Sequence, residues 1–585
     1  MKYPKIPLAQ TVIQLCKAKN IKHVVISPGS RNAPLTIGFT NDPFFKCYSI
    51  VDERCAAFFA LGIAQQINAP VIVSCTSGSA LLNFYPAVAE AFYSEIPLII
   101  LSADRPKHLQ NIGDGQTINQ HDVYRNHIIH SANLKLDIKD ELNIPDTEDI
   151  PVLRNIEDKL ERMLGLQKDI QTHNENELNH AINKCVIKSG PVHINVPFDE
   201  PLYEMVDALT VSPKNIEIEL ENPKMDSYIL EKCLTAWQKS KRKMILVGEY
   251  APQMIDQQWL NMLAKDDSVI VFTESTSNLH HGSFFSNIDK LIAPLDDDDF
   301  IKLRPEILVT FGGMVVSKKI KSFLRKYQPK DHWHISETRA YDTYFCLTEH
   351  IKEQPNYFFS EFLPKTQEVK SSYRNYWTAI RSERTKKHNS FVENIPFSDF
   401  KVFDTLFKML PNDTVLQIGN SSAIRYAQLF DVHKSIKVFC NRGTSGIDGS
   451  TSTAIGCAVA NKLQTNFITG DLSFFYDSNA LWNNYIPDSF RIIVINNGGG
   501  GIFRILPGHK NTENFDTYFE TKHNFSAQHL AEMYNFKYKK VATQSDLISA
   551  LSTFFKESKQ PKILEINTAD QLNDEILLSY FSALK

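Results

Sequence analysis

Short apolar runs alternate with longer amphipathic stretches along most of this chain. The runs are rich in valine and isoleucine and end in loops that carry glycine, serine or proline, which is the pattern of strands buried in a parallel sheet. The stretches between them repeat apolar positions with helical spacing. The sequence predicts strands at 23–26, 47–51, 70–74, 97–101, 191–196, 244–248, 268–272, 307–313, 414–418, 436–440 and 492–495.

These elements form three α/β units, so the predicted fold class is α/β with three doubly wound parallel sheets. A chain of 585 residues is too long for one hydrophobic core. The predicted domains are residues 1–204, 205–365 and 396–585, and a charged helical connector at 366–395 precedes the last of them. The acidic run at 296–299 is predicted to be a solvated loop.

The most informative stretch is 467–503. An apolar run there ends in Gly470 and Asp471, a helical segment follows, and a second run ends in Asn496, Asn497 and four glycines. A right-handed crossover between parallel strands brings both loops to the same carboxyl edge of the sheet, so Asp471 and Asn497 are predicted to be neighbours. A few oxygen ligands suit Mg²⁺, which completes its shell with water and phosphate oxygens. Gly-Asp and Asn-Gly, each taken alone, are more typical of an ordinary turn.

Composition narrows the class of protein. The chain has 43% hydrophobic and 22% charged residues and a net charge of −4, so bulk charge favours neither nucleic acid nor an anionic membrane as a partner. No apolar stretch approaches the roughly 18 residues that a membrane span needs. The first residues lack the pattern of a secretory signal. Nine cysteines without a CxxC pair argue against a disulfide framework, and together these features predict a cytoplasmic protein.

Arginine is used sparingly, with 17 arginines against 46 lysines (63 − 17). An arginine in a loop rich in glycine, serine or proline can therefore reflect a need for its bidentate fork, which matches a carboxylate or a phosphate. A surface ion pair explains any single one of them equally well. Five arginines stand in such loops: Arg31, Arg105, Arg425, Arg442 and Arg504.

Glu53 follows the predicted strand at 47–51 directly and precedes a helix that carries little charge. Its carboxylate is predicted to lie at a partly buried sheet edge, where burial raises the pKa of the carboxyl group. The alternative is a structural carboxylate that faces the positive end of the helix dipole.

The spacing from Asp471 to Asn497 resembles the metal and diphosphate motif of thiamine diphosphate (ThDP) enzymes. That resemblance implies Mg²⁺, or Mn²⁺ as a substitute, bound by Asp471, Asn497 and the Gly499 carbonyl. It also implies that Glu53 activates the cofactor by hydrogen bonding to its aminopyrimidine ring. Leu472 departs from the family pattern, where many members have glycine. The implied cofactor-binding residues are Glu53, Ser421, Ile447, Asp471, Leu472, Ser473, Asn497 and Gly499.

Segments 27–31, 102–106, 441–449 and 496–503 resemble the branch of this family that serves menaquinone biosynthesis. That resemblance implies decarboxylation of 2-oxoglutarate and addition of the remaining carbon unit to isochorismate. Each substrate carries two carboxylates, which explains why arginine side chains would be needed in the site. Arg31, Arg425 and Arg442 are expected to be catalytic together with Glu53. The implied substrate-binding residues are Ser30, Arg31, Arg105, Gln116, Lys318, Lys319, Ser421, Arg425, Arg442, Ile502 and Phe503.

Two alternatives remain open at this point. One is another ThDP carboligase or decarboxylase of the acetolactate synthase type, which handles smaller and less anionic substrates. The other is a ThDP-binding protein without catalysis, although cofactor retention alone does not require Glu53. The resemblance also implies a homo-oligomer, a dimer or a dimer of dimers, with active sites between subunits.

Overall fold

A computed structural model describes residues 2–110, 112–138, 166–219, 224–505, 512, 514–568 and 570–585. Its internal contacts divide the chain into two compact units. The first unit contains residues 1–220 together with 452–460 and 479–485, and the second contains the remainder. None of the described helices is long and apolar enough to cross a membrane.

The first unit is built on a six-stranded parallel sheet with the order β3-β2-β4-β5-β7-β6. A short antiparallel pair, β1 and β8, joins the start of the chain to residues 205–206. The strands are β1 (Tyr3–Pro4), β2 (His23–Ile26), β3 (Lys46–Ser49), β4 (Val71–Cys75), β5 (Leu98–Asp104), β6 (His130–Asn133), β7 (Val192–Pro197) and β8 (Met205–Val206).

Helices cover both faces of this sheet because alternate strand residues point to opposite sides and most of them are buried. One core cluster joins the sheet to the first, second and last of these helices. The helices are Pro7–Ala18, Ala33–Asn41, Glu53–Ile67, Ala80–Asn83, Tyr85–Tyr93, Lys107–Gln110 and Leu166–Lys188.

The second unit holds two more parallel sheets. The five-stranded sheet has the order β10-β9-β11-β12-β13, and the six-stranded sheet has the order β15-β14-β16-β17-β19-β18. The strands are β9 (Lys243–Val247), β10 (Val269–Phe272), β11 (Ile307–Phe311), β12 (Asp331–Ile335), β13 (Glu349–Ile351), β14 (Val415–Ile418), β15 (Lys437–Phe439), β16 (Thr465–Gly470), β17 (Arg491–Asn496), β18 (Lys537–Val541) and β19 (Lys562–Asn567).

Helices pack on both of these sheets and fill their hydrophobic cores. They begin and end as follows: Ser227–Lys239, Gln257–Lys265, Ile288–Ile292, Asp297–Leu303, Lys318–Lys326, Pro355–Phe362, Tyr373–Asn394, Asp399–Met409, Ser422–Ala427, Asp471–Tyr476, Ile502–Ile505, Gln528–Met533, Gln544–Phe554 and Asp570–Ala583. The three parallel sheets confirm the predicted α/β fold class.

Two local predictions were wrong in detail. The acidic run at 296–299 is not a loop, because the Asp296 side chain accepts a hydrogen bond from the Asp299 amide and caps the helix Asp297–Leu303. Aspartates suit a first turn, where they face the positive end of the helix dipole. The strand predicted at 307–313 is also shorter than expected and ends at Phe311.

The helix Ser450–Ala460 is rich in small residues and packs closely on the helix Glu53–Ile67, as its composition predicts. A Cβ atom added at Gly456 would lie 2.1 Å from the Phe59 carbonyl oxygen, and one added at Gly62 would lie 2.1 Å from the Thr453 carbonyl oxygen. The two helices therefore meet backbone to backbone inside the first unit, which leaves no room for a side chain at either glycine.

His193 in β7 gives the first unit a measurable dependence on pH. Its Nε2 lies 2.7 Å from the Ser102 hydroxyl. Burial lowers the pKa of this histidine to about 3, although the negative charge of Asp122 acts to raise it. An unfolded histidine titrates near 6.5, so between these pH values the unfolded chain binds the extra proton and stability falls as the pH decreases.

We expect His193→Gln, which keeps a polar partner for Ser102 but does not titrate, to weaken this acid sensitivity. Urea unfolding followed by circular dichroism at pH 7 and pH 5 should show a smaller drop in the midpoint than in the wild type. His529→Gln, at an exposed position, is the control and should leave the drop unchanged. A drop of the same size in His193→Gln would contradict the assignment.

Candidate active site

Asp471 joins the two loops at the carboxyl ends of β16 and β17. Its buried carboxylate accepts hydrogen bonds at Oδ2 from the Gly498 amide at 2.9 Å and the Gly499 amide at 3.1 Å. Its Oδ1 accepts from the Leu472 amide at 2.7 Å. The parallel register of the two strands brings these loops side by side, so the predicted proximity of the two halves of the motif is confirmed.

Asn497 is oriented by a residue that the sequence analysis missed. Its Nδ2 donates to Asp399 Oδ2 at 2.9 Å, so the side-chain oxygen is the atom left to bind a cation. Asp399 Oδ1 in turn accepts from the Thr568 hydroxyl at 2.6 Å. Burial raises the pKa of Asp399 to about 6, and the hydrogen bonds from Thr568 and Asn497 act in the opposite direction.

The glycine loop has a conformation that other residues rarely adopt. Gly498 has φ +82° and Gly499 has φ +154°. A Cβ atom at Gly499 would lie 2.7 Å from the Glu520 carbonyl oxygen, which also accepts a hydrogen bond from the Gly500 amide at 2.6 Å. Glycine is therefore required at 499 both for its backbone angle and for the space.

Arg504, one of the five arginines, is used inside this loop. Its guanidinium forms a bidentate ion pair with Glu520, with Nε–Oε1 at 2.5 Å and Nη2–Oε2 at 2.7 Å. The Glu520 side chain is almost fully buried. This bidentate ion pair therefore holds the glycine loop in place. It favours a structural role for Arg504 over a role in binding substrate.

The donors gathered here fit an oxygen-preferring cation. They are one anionic carboxylate, one neutral amide oxygen and backbone carbonyls of a glycine loop, the set that Mg²⁺ accepts when phosphate supplies further oxygens. The described residues contain no group of three or more His, Cys, Asp or Glu side chains arranged to hold a metal. The roles of Asp471, Asn497 and Gly499 as metal ligands stay predictions.

The loop after β15 lies against the same edge. The Ser473 hydroxyl donates to the Ile447 carbonyl at 2.7 Å, which connects two residues expected to contact the cofactor. Asn420, which the sequence analysis did not single out, donates to the Asn441 and Gly446 carbonyls, both at 2.7 Å. Its Oδ1 accepts from Arg442 Nη1 at 2.8 Å. The buried side-chain amide of Asn420 therefore fixes the conformation of the loop that follows β15.

Arg425 and Arg442 are brought together in the second unit. Burial lowers the pKa of the Arg425 guanidinium, the charge of Arg442 lowers it further, and Asp289 opposes both effects. Arg442 Nε is buried and has no hydrogen-bond partner among the described residues. Two neighbouring cations with an N–H group left over form a site that an anion would stabilise.

The other residues of the second unit that were predicted to bind cofactor or substrate differ in backbone conformation and in exposure. Ser421 has φ +68°, a strained angle for a residue with a side chain, at the start of the helix Ser422–Ala427. Ile502 and Phe503 are half-buried in the helix Ile502–Ile505. Lys318 and Lys319 are exposed at the start of their helix, and the Lys319 ammonium lies 4.8 Å from the centre of the Phe581 ring.

In the first unit, Glu53 is the first residue of the helix Glu53–Ile67. The preceding Asp52 caps this helix by accepting from the Cys55 amide at 3.1 Å. Glu53 is half-buried, and burial raises the pKa of its carboxyl group. The negative charge of Asp52 raises it as well, while a hydrogen bond from Asn83 lowers it. The raised pKa predicted for Glu53 is confirmed.

Arg31 and Arg105 form a second pair of cations in this unit. Arg31 is buried, donates to the Phe198 carbonyl at 3.0 Å, and has its pKa lowered by burial and by the charge of Arg105. Arg105 Nη1 lies 3.1 Å from Asp114 Oδ2 and Nη2 donates to the Gly115 carbonyl. Ser30 and Gln116 are exposed residues of the adjoining loops.

Two family models match this chain. The N-terminal TPP binding domain of thiamine pyrophosphate enzymes matches residues 6–125, and the C-terminal TPP binding domain matches residues 417–566. Thiamine pyrophosphate is another name for ThDP. The two matches cover the first and last α/β regions of the sequence, which carry Glu53 and Asp471 respectively.

Several relatives that match this chain over nearly its full length share the same name. A 2-succinyl-5-enolpyruvyl-6-hydroxy-3-cyclohexene-1-carboxylate (SEPHCHC) synthase of Flavobacterium psychrophilum is 54% identical over 100% of both chains. The synthase of Christiangramia forsetii is 53% identical, also over 100% of both. That of Porphyromonas gingivalis is 34% identical over 98% of this chain and 96% of its own. The chain belongs to the SEPHCHC synthase family. It is a ThDP-dependent enzyme of the transferase class, as the sequence predicts.

A buried polar network centred on Gln120 and Asn195, which the sequence analysis did not single out, supports the Arg105 loop. Gln120 is buried, and its Oε1 accepts from the Gly78 amide at 2.9 Å. Its Nε2 donates to Asn195 Oδ1 at 2.8 Å, and Asn195 Nδ2 donates to Asp104 Oδ2 at 2.7 Å. These contacts link residues up to 91 positions apart, so no local pattern in the sequence indicates them.

Gly499→Ala should destabilise the glycine loop of this SEPHCHC synthase family member. The added methyl group would meet a backbone carbonyl and occupy an unfavourable φ, a combination that costs on the order of 1–3 kcal/mol. Thermal unfolding of the metal-free protein measures the effect. Gly470→Ala is the matched control, because nothing lies within 4 Å of its Cβ position. Equal stability of the two variants would contradict the strain assigned to Gly499.

Proposed function

We propose that this protein joins 2-oxoglutarate to isochorismate in menaquinone biosynthesis, with release of CO₂ and formation of SEPHCHC, using ThDP and Mg²⁺. The names of the full-length relatives support the product. The observation that carries the substrate assignment is the pairing of Arg425 with Arg442 at the sheet edge that also holds Asp471. Two neighbouring guanidinium groups suit a dicarboxylic acid better than pyruvate.

The second unit would bind the cofactor diphosphate and the first substrate. Asp471, Asn497 and the Gly499 carbonyl would hold Mg²⁺, which would neutralise negative charge on the diphosphate. Leu472, Ser473 and Ile447 would contact the cofactor, and Ile502 and Phe503 would line the pocket. When bound, ThDP supplies the electron sink that permits decarboxylation of a 2-oxo acid. Ser421, Arg425 and Arg442 would orient the carboxylate of the succinyl part.

The first unit would supply the acid–base group and the second substrate site. Glu53 is half-buried, and burial raises the pKa of its carboxyl group, which favours a role in holding and transferring a proton. We assign it to the aminopyrimidine ring. Ser30, Arg31, Arg105 and Gln116 would bind isochorismate. In the described structure Glu200 and Asp114 lie beside the two arginines, at 3.4 and 3.1 Å, so these arginines already accommodate carboxylate groups.

We further propose a cytoplasmic homo-oligomer, a dimer or a dimer of dimers, in which the first domain of one subunit and the last domain of another complete each active site. Lys318 and Lys319 are the weakest part of the substrate assignment, because Lys319 already contacts an aromatic ring.

The direct test is consumption of isochorismate by the purified protein with Mg²⁺ and ThDP, with 2-oxoglutarate or pyruvate as the donor. Loss of isochorismate that requires 2-oxoglutarate, with release of CO₂, is the expected result. Turnover of pyruvate without isochorismate would instead favour an acetolactate synthase type of carboligase, and no turnover of either donor would contradict both assignments.

Glu53→Gln should lower kcat at least about 100-fold, the usual contribution of a positioned acid–base group, and leave the fold intact. Glu53→Asp keeps a carboxylate with a shorter reach and should retain intermediate activity. Steady-state kinetics gives kcat, and circular dichroism checks the fold. A kcat like that of the wild type in Glu53→Gln would remove this residue from the mechanism.

Arg425→Ala should raise the KM for 2-oxoglutarate roughly tenfold or more, because a hydrogen bond to a charged group contributes about 1.5–3 kcal/mol. The affinity for ThDP should change little. Arg325→Ala is the control, since its guanidinium packs over Phe345 outside the site. A selective loss of ThDP affinity in Arg425→Ala would place this loop at the diphosphate instead.

A further inference from the structure

His523 lies outside every motif discussed above, yet its imidazole reaches the metal motif. Its Nε2 is 3.3 Å from Asp471 Oδ2, and both side chains are buried, with 6% and 4% of their surface exposed. This nitrogen makes no well-aligned hydrogen bond to any described residue. A buried ring nitrogen whose nearest charged neighbour is the predicted metal-binding carboxylate requires an explanation.

The ring of His523 is held from several sides. Its Nδ1 accepts a hydrogen bond from the Phe525 amide at 3.1 Å, and its own amide donates to the Gly498 carbonyl at 3.0 Å. The imidazole stacks on the Phe525 ring at 5.2 Å and meets the Phe475 ring edge-on at 5.5 Å. Because Nδ1 is an acceptor, the proton of the neutral ring is on Nε2, which faces Asp471.

The segment that carries this ring is anchored to the sheet. Asn496 at the end of β17 donates to the Phe525 carbonyl at 2.9 Å and to Glu565 Oε1 at 2.7 Å. The buried Glu565 of β19 accepts at Oε2 from the Ser526 hydroxyl and the Ala527 amide, both at 2.9 Å. Two strands therefore fix the chain immediately after His523, and the position of the ring is part of the fold.

The hydrogen-bond donors around Asp471 are distributed unequally between its two oxygens. Three N–H groups face Oδ2, from Gly498, Gly499 and His523, whereas only the Leu472 amide faces Oδ1. A carboxylate oxygen has two lone pairs. The Gly498 and Gly499 amides already occupy both at Oδ2, so the His523 N–H adds a longer electrostatic contact to that oxygen, and Oδ1 keeps one lone pair free. The asymmetry selects the oxygen that a cation can approach.

We propose that His523 is a positioning residue whose Nε2–H faces Asp471 Oδ2 and helps hold the carboxylate in the orientation that presents Oδ1 to the divalent cation. His523 does not touch the metal in this arrangement. The role corresponds to the outer hydrogen bonds that orient carboxylate ligands in metalloproteins. The inference rests on the metal site of the proposed function and adds a residue to it.

The test uses the full-length protein with saturating ThDP and Mn²⁺, whose free concentration is followed by electron paramagnetic resonance. His523→Phe keeps a flat ring for Phe525 and Phe475 but removes both nitrogens, and it should raise the Kd for Mn²⁺ by roughly 10–100-fold. His523→Gln retains an N–H group at a similar reach and should recover part of the loss. His529→Phe, whose side chain is 89% exposed, is the matched control and should bind Mn²⁺ as the wild type does.

Three outcomes would overturn the inference. An unchanged Kd in His523→Phe would show that the contact has no effect on the ligand, and an equal loss in His523→Phe and His523→Gln would reduce the role to ring packing. Electron spin-echo modulation from a directly bound imidazole nitrogen in the wild type would make His523 a ligand. Failure of the wild type itself to bind Mn²⁺ with ThDP would be distinct from these, because it would overturn the metal site of the proposed function.

Discussion

The buried carboxylate of Asp471 is the point on which the second unit depends. It accepts the amides of Gly498 and Gly499 and thereby joins the loops that follow two adjacent parallel strands. A buried carboxylate is expensive unless it is hydrogen-bonded, so the glycine loop must adopt a conformation that presents its amides. That requirement explains the positive φ angles at Gly498 and Gly499. These hydrogen bonds also fix the orientation of the carboxylate that we propose binds the cation.

A second constraint is the concentration of positive charge near these loops. Asn420 holds the loop that carries Arg442, and Arg442 lies near Arg425 although the two repel each other. The first unit repeats this arrangement with Arg31 and Arg105. Protein carboxylates accompany the pair in the first unit, where Glu200 lies 3.4 Å from Arg31 and Asp114 lies 3.1 Å from Arg105. Each substrate proposed here has two carboxylates, so both arginine pairs are consistent with a function in binding anions.

The sequence predicts well what depends on local patterns. Alternation of short apolar runs with amphipathic stretches indicates the parallel sheets, and the motif from Asp471 to Asn497 indicates where two of their loops meet. The acidic run at 296–299 was misassigned because its capping bond to Asp296 depends on a helix that the charges alone do not reveal.

Residues that act through long-range contacts escape this reasoning. Asp399 orients Asn497 from 98 positions away, and Gln120 reaches Asn195 across 75. His523 reaches Asp471 because β17 and β19 fix the chain immediately after it. Nothing in the composition or spacing around these residues distinguishes them, since their roles arise from the fold.

The most direct test of the account is a calorimetric titration of ThDP into the metal-free protein, with and without Mg²⁺. If Asp471, Asn497 and the glycine loop bind the diphosphate through a cation, ThDP should bind at a saturable site with Mg²⁺ and only weakly in the presence of a chelator. Equally tight binding of ThDP in the chelator would contradict the account, because the diphosphate would then be held by the protein without a metal.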